Sequence, residues 1–342
     1  MKFKNKIIAV VIIVLTTGAY FVYNIYRKIF IPNVLSEQLY INIPTGAVFE
    51  TVNKLLSEKK IIKDSASFVW LAKKMKYPSK VQPGHYVLSE GMNNKDLIAL
   101  LRSGKQTPVK LTFNNIRTAG EFASIVSHTI EADSISLMRL INDSVYVQKF
   151  GMNRFNCLVM FIPNTYEFYW NTSAEKFFER MEKEYKVFWT EARKGKAKAM
   201  GLTKAEVSVL ASIVEQETKR DDEKPVIAGV YLNRFNKGWR LEADPTLVFA
   251  LGDFSVNRVL SAYKEIDSPY NTYRHPGFPP GPICMPSIAS IDAVLNYSKH
   301  AYMYFCARAD FSGYHSFAMT YTEHLINARR FQKELNKRNI RS

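Results

Sequence analysis

Apolar residues fill almost every position from Ile7 to Tyr26, interrupted by Thr16, Thr17 and Asn24. A run with no polar face, roughly twenty residues long at helical rise, predicts a transmembrane helix. Lys2, Lys4 and Lys6 precede it, and Arg27 and Lys28 follow. Tyr20, Tyr23 and Tyr26 sit toward its far end, where an interfacial aromatic belt belongs. The three lysines and the terminal amine favour a cytoplasmic amino terminus, with the remainder outside the cytoplasmic membrane. A cleaved signal peptide is the competing reading. The run is long for one, and no clear A-x-A site follows.

Beyond a linker over 31–38 the pattern turns to short strands and helices. Leu39–Ile43 alternates as a strand and stops at Pro44; Thr45-Gly46 opens a helix with Val48, Val52, Leu55 and Leu56 on one face. Ser65–Lys74 predicts a second helix, Gly84–Leu88 a returning strand, and Asn94 caps a helix that stops near Gly104. Val109–Phe113 reads as a strand and Ala119–Val126 as the start of a helix, while 130–160 fits neither pattern. A turn is expected over Phe161–Tyr166. A single long helix is expected over 174–196, with a core stripe of Phe177, Phe178, Met181, Tyr185, Phe188 and Trp189. The expected fold class is α+β. Its divisions are a tail and anchor (1–30), an α/β subdomain (31–108), a connecting α/β region (109–200) and a mixed α/β catalytic domain (201–342).

Thr203-Lys204-Ala205-Glu206 fits a capping box. The helix it opens carries Val207, Leu210, Ala211 and Val214 on one face and ends in Glu215-Gln216-Glu217. The two glutamates fall at opposite edges of that face. A carboxyl at an apolar edge loses hydration, which raises its pKa toward the range a general acid needs. The plainer alternative is a glutamate paired with Lys219 or Arg220, or satisfying nearby backbone. Asp244-Pro245-Thr246 reads as an N-cap followed by proline, giving Asp244 a structural role as a helix cap before Gly252. Tyr270-Asn271-Thr272-Tyr273 lies between prolines, in a constrained loop rich in hydrogen-bonding groups.

Composition narrows the choices. A chain of 342 residues that is 47% hydrophobic builds a packed core rather than a disordered polymer. The net charge of +16 suits an anionic partner, but Lys and Arg are scattered and no compact nucleic-acid motif occurs, so nucleic acid is not expected. Cys157, Cys284 and Cys306 form no CxxC pair, and the six histidines lack metal-ligand spacing; no metal is expected.

The ordered set of motifs resembles the YceG-like family of endolytic murein transglycosylases. It comprises Ala211–Thr218, Asn233-Arg234, Leu241–Thr246, Ser268–Tyr273, Gly277–Ile283, Tyr304-Phe305 and His315–Phe317. The amino-terminal anchor and the α/β unit over 39–104 are similar to that family's membrane segment and LysM-like subdomain. The resemblance implies cleavage of the β-1,4 bond between N-acetylmuramic acid and N-acetylglucosamine within peptidoglycan strands, leaving 1,6-anhydromuramic ends, with no cofactor. It places the catalytic carboxyl at Glu215. It puts Asn233, Tyr270, Asn271 and Tyr273 on positions lining the glycan cleft, and Glu217 beside them as an orienting or supporting group. The cytoplasmic membrane is an implied partner, and penicillin-binding proteins or other cell-wall synthases are candidate ones. Phe278, Trp239, Phe161–Asn164 and Cys284–Ser287 depart from the family's usual residues. A hydrolytic muramidase with Asp244 or Glu217 as second carboxylate, and a non-catalytic peptidoglycan-binding scaffold, are the competing functions.

Overall fold

The computed structural model describes residues 2–35, 40–256 and 259–338. The end of the expected linker and Leu39, the first residue of the expected strand, lie outside them. The chain forms two compact units. One runs to Leu111 and adds Thr129–Glu131 and Glu167–Ser173; the other holds Thr112–His128, Ala132–Tyr166 and the chain from Ala174 onward. Residues 109–200, expected as a connecting region, are therefore shared between the two units rather than standing alone.

In the first unit, α1 (Lys2–Phe30) is one continuous helix. It is long and apolar enough to cross a membrane, and its apolar side chains are exposed. Then come β1 (Tyr40–Ile43), α2 (Phe49–Glu58), α3 (Ser65–Lys74), β2 (Gly84–Val87) and α4 (Asn94–Ser103). The strands pair antiparallel, Ile41 opposite Tyr86 and Ile43 opposite Gly84. Alternation puts Ile41, Ile43 and Tyr86 on one buried face, against Val52 and Leu56 of α2, Phe68 and Leu71 of α3, and Leu97, Ile98 and Leu101 of α4. The cap of α4 is Asn93, whose side chain accepts from the Asp96 N–H, and not Asn94. Asn94 is buried and donates to the Lys28 carbonyl and to Ser67 Oγ. Gly104, at φ 70°, ends the helix as expected.

β3 (Val109–Phe113) pairs with β4 (Asn164–Phe168), and Thr112 and Thr165 share a 2.7 Å hydroxyl contact. β4 replaces part of the expected turn: Tyr166 is buried, and its ring stacks on Phe113, so the segment is held extended. α5 (Ala119–Thr129) ends just before the unassigned stretch, which holds α6 (Ser134–Asn142) and α7 (Ser144–Gln148). Phe113, Phe122, Phe161, Phe177 and Phe178 form one aromatic cluster, as core. The single helix expected over 174–196 is two helices, α8 (Ala174–Phe188) and α9 (Glu191–Ala199). The break follows from Thr190, whose hydroxyl caps the Arg193 N–H while Trp189 stays buried at the corner.

The remaining elements are α10 (Lys204–Glu217), α11 (Lys224–Asn236), α12 (Asp244–Leu251), α13 (Ile288–Leu295), β5 (Tyr304–Ala307), β6 (His315–Ala318) and α14 (Tyr321–Lys337). Thr203 and Glu206 make the expected capping box on α10. The helix is not buried on one face alone: every residue from Val207 to Val214 is buried, because α11, α12 and α13 pack around it. A helix enclosed on all sides tolerates Ser208 and Ser212 only with partners. Ser208 Oγ donates to the Lys204 carbonyl and Ser212 Oγ to that of Val209. Gly229 lets α11 approach the 298–300 segment, since a Cβ there would lie 2.4 Å from the Ser298 carbonyl. β5 and β6 form an antiparallel hairpin.

Candidate active site

The last turn of α10 presents its glutamates to different neighbours. Both stand at the negative end of the helix dipole, which opposes ionisation. Glu215 meets the start of α13. One carboxylate oxygen, Oε2, accepts from the Ser287 N–H at 3.2 Å, from Ser287 Oγ at 2.5 Å and from Ser290 Oγ. Lys224 Nζ lies 3.4 Å from the same oxygen. Ser287 is the N-cap of α13, so the positive end of a second helix also faces this carboxylate. Burial pushes the Glu215 pKa up, but the serine hydrogen bonds and the lysine charge outweigh it and hold the group below its ordinary value. The raised pKa expected for Glu215 is thus corrected. Partial burial was legible in the sequence; the four donors, brought from 70 residues downstream and from α11, were not.

Glu217 has no such supply of donors. Its Oε1 accepts from the Tyr231 hydroxyl on α11. Burial, reinforced by the negative charge of Asp244, pushes its pKa up to about 7. Tyr231 and the charge of Arg234 pull the other way without prevailing. Arg234 is itself buried and committed to the Met303 and Leu241 carbonyls. Glu217 also borders a cleft of about 600 Å³, lined as well by Arg117, Gln216, Asp244, Phe249 and Phe254. Glu217 borders a second cleft too, of about 510 Å³, with Lys219, Arg308 and Tyr314. A carboxyl that is half neutral near pH 7 at the junction of two clefts can give a proton and take one back.

Asp244 does not cap α12. The cap position is Ala243, with no side-chain cap bond. Thr272 instead receives the Ala243 N–H and contacts Thr246 Oγ1 at 2.8 Å, which frees the Asp244 side chain. That carboxylate accepts from the Tyr273 hydroxyl at 2.5 Å and faces the larger cleft. Tyr273 is therefore joined to the site through Asp244. Its own pKa is raised by burial and by this bond.

The other expected cleft residues support the site from behind. Asn271 is fully buried: its amide donates to the Lys264 and Ile266 carbonyls, and its oxygen accepts from the Tyr273 N–H. It shapes the loop that carries Tyr273. Asn233 donates to the carbonyls of His300 and Tyr302, fastening α11 to the approach to β5. Tyr270 packs its ring on Phe249, 4.6 Å between centroids, behind the cleft wall. Phe278, one of the departures from the family pattern, stacks on Phe235 at 4.4 Å.

The sequence marked the segment Tyr231–Arg234 but gave no role to Lys224, Ser287 or Ser290. Ser287 ahead of Ile288 and Ile291 is an N-cap signal visible in the chain. Nothing local indicates that its hydroxyl faces α10.

The YceG-like family matches residues 41–330. The chain is 29% identical over 300 residues to the endolytic murein transglycosylase of Bacillus subtilis (strain 168), covering 83% of this chain and 82% of the relative. It is 26% identical over 330 residues to the endolytic murein transglycosylase of Streptococcus pneumoniae (strain ATCC BAA-255 / R6), covering 86% of this chain but 59% of that protein. Among solved structures, the crystal structure of a yceG-like protein from Listeria monocytogenes matches with a TM-score of 0.58 and 26% identity. The match covers 84% of this chain and 97% of that one.

Proposed function

Because the chain belongs to the YceG-like family, we propose that it is a membrane-anchored endolytic transglycosylase acting on peptidoglycan, with Glu217 as its acid and base. The observation that carries this reading is a carboxyl raised to about 7 at the meeting of two clefts. The substrate class comes from the relatives named endolytic murein transglycosylase. Glu215, first expected to be the acid, is given a positioning role: its ionised carboxylate ties the end of α10 to α13.

The chemistry needs one carboxyl that changes state once and returns. Oε1 of Glu217 is engaged by Tyr231, and the proton is carried on Oε2. That proton passes to the glycosidic oxygen as the bond to C1 of N-acetylmuramic acid breaks. The carboxylate left behind faces the oxocarbenium-like sugar and stabilises its charge. It then takes the proton of the same sugar's 6-hydroxyl as that oxygen bonds to C1. The products are a 1,6-anhydromuramic end and a free N-acetylglucosamine 4-hydroxyl, and no water is consumed. Asp244 keeps Glu217 protonated by its negative charge, and Tyr273 holds Asp244 in place.

In this reading α1 anchors the protein in the cytoplasmic membrane, with Lys4 and Lys6 on the cytoplasmic side and the two-stranded first unit serving as a LysM-like glycan contact. Cutting near the membrane would end the growth of nascent strands, beside penicillin-binding proteins or other synthases. A second reading is favoured by one observation: Asp244 shares the larger cleft with Glu217. Paired carboxylates across a bond suit a hydrolytic muramidase. Mass spectrometry of products from uncross-linked strands separates the two. Internal cuts bearing anhydromuramic ends are expected; reducing ends would establish hydrolysis with Asp244 as partner.

A further inference from the structure

The smaller cleft beside Glu217 has a chemistry that the glycan backbone does not explain. It is bordered by Lys219, Arg220 and Arg308, together with the rings of Phe311 and Tyr314. Arg220 is spent within the protein: it donates to the Ser312 carbonyl at 2.7 Å and lies over the Tyr314 ring at 4.8 Å. Tyr314 is fixed in turn by donating to Asp222 at 3.0 Å. Lys219 and Arg308 are exposed, and neither enters an ion pair among the described residues. Arg308 lies over the Tyr314 ring at 5.7 Å, and its charge helps lower the pKa of Asp310, whose carboxylate accepts from the N–H and hydroxyl of Ser312. Glu217 is the only carboxyl among the residues bordering this cleft, and it is the group raised to about 7.

An N-acetylated glycan backbone is uncharged, so two exposed cations outside any side-chain salt bridge among the described residues have no ionic partner on it. In peptidoglycan the negative charge lies on the peptide stems, which branch from the lactyl ether of muramic acid. We propose that this cleft is a stem subsite, in which Lys219 and Arg308 pair with the free carboxylates of the peptide carried by the muramic acid nearest the cut. The subsite rests on the functional reading above and deepens it. The preferred substrate is a strand whose stems keep their charge, and Tyr314, braced by Arg220 and Asp222, supplies a rigid wall for the stem's aliphatic part.

The experiment compares uncross-linked strands with the same strands after their stem carboxylates have been converted to carboxamides. The parent protein is expected to show a kcat/KM about tenfold higher on the charged strands, the scale of two partly exposed ion pairs. Lys219→Ala/Arg308→Ala is expected to shrink that ratio to about twofold or less, with the change in KM rather than kcat. Tyr314→Phe, which keeps the wall, should retain the ratio. Binding of both strand preparations by the Glu217→Gln protein separates the two claims. If the parent cuts neither strand, the functional reading fails. Equal affinity of Glu217→Gln for charged and amidated strands, or an unchanged ratio in the double variant, overturns the stem subsite.

Discussion

The side of α10 that faces α13 and the side that faces the clefts hold the same residue type two positions apart, and they treat it oppositely. On the α13 side, Glu215 is surrounded by donors: a backbone N–H, two hydroxyls, a lysine and a helix N-terminus. On the cleft side, Glu217 has a single phenol, a neighbouring carboxylate and the charge of Arg234, whose guanidinium is committed to backbone carbonyls. Both lose water, and both end the same helix. The sign of the shift is set by what replaces that water. Enough donors make a buried carboxylate a fixed anion, and too few leave it a proton carrier.

The same contrast appears in stability. Glu217, raised above its unfolded value of 4.5, contributes stability that is fully present below 4.5 and is lost as pH rises through about 7. Glu215, held below 4.5, contributes stability present above that value and lost on acidification. The two linkages have opposite signs at one helix end.

The largest effect should come from Glu217→Gln, which removes the exchangeable proton. Turnover on uncross-linked strands should fall about a thousandfold with the fold retained, measured by release of anhydromuropeptides alongside a melting curve. Near-native turnover would break the comparison. Glu215→Gln should show the complementary pattern. Loss of an ionised group held by Lys224 and two serines should cost about 2 kcal/mol, after allowing for its partial exposure, seen as a lower denaturant midpoint. Its kcat per folded molecule should stay within about tenfold of the parent. A thousandfold loss with unchanged stability would exchange the two roles.

Two smaller changes sharpen the account because their signs differ. Asp244→Asn removes the negative charge that raises Glu217, so the basic limb of the kcat/KM profile should move below pH 7. Activity at pH 7.5 should fall about fivefold, with little change in melting because the carboxylate is not the helix cap. Tyr231→Phe removes the hydrogen bond that favours the Glu217 anion, so the same limb should move above pH 7. Shifts of the same sign in both variants would show that Glu217 does not govern the profile.

What the chain revealed depended on how local each signal was. The apolar run became α1, the capping box at Thr203 formed, and Ser65–Lys74 and Val109–Phe113 were found at their boundaries, since each rests on nearest neighbours and periodicity. The motif order identified the family before any geometry was known. The role of Asp244 was misread because an Asp-Pro pair looks like a cap, while the cap position is Ala243, whose N–H is held by Thr272, 29 residues on. Asn233 and Asn271 looked like ligand-facing groups, yet both are consumed by carbonyls that only the folded chain brings near. The proposed move of the acid from Glu215 to Glu217 rests on information of the same kind. A helical wheel shows which edge a carboxyl occupies, but the donors waiting there come from α11 and α13.

The most direct test is a carboxyl titration followed by carbon NMR in protein labelled at glutamate side chains, with Glu215→Gln and Glu217→Gln used to assign the signals. The account predicts that the Glu217 carboxyl titrates near pH 7 while that of Glu215 remains ionised down to below 4.5. A Glu215 midpoint near 7, with Glu217 titrating below 4.5, would contradict it and return the acid to Glu215.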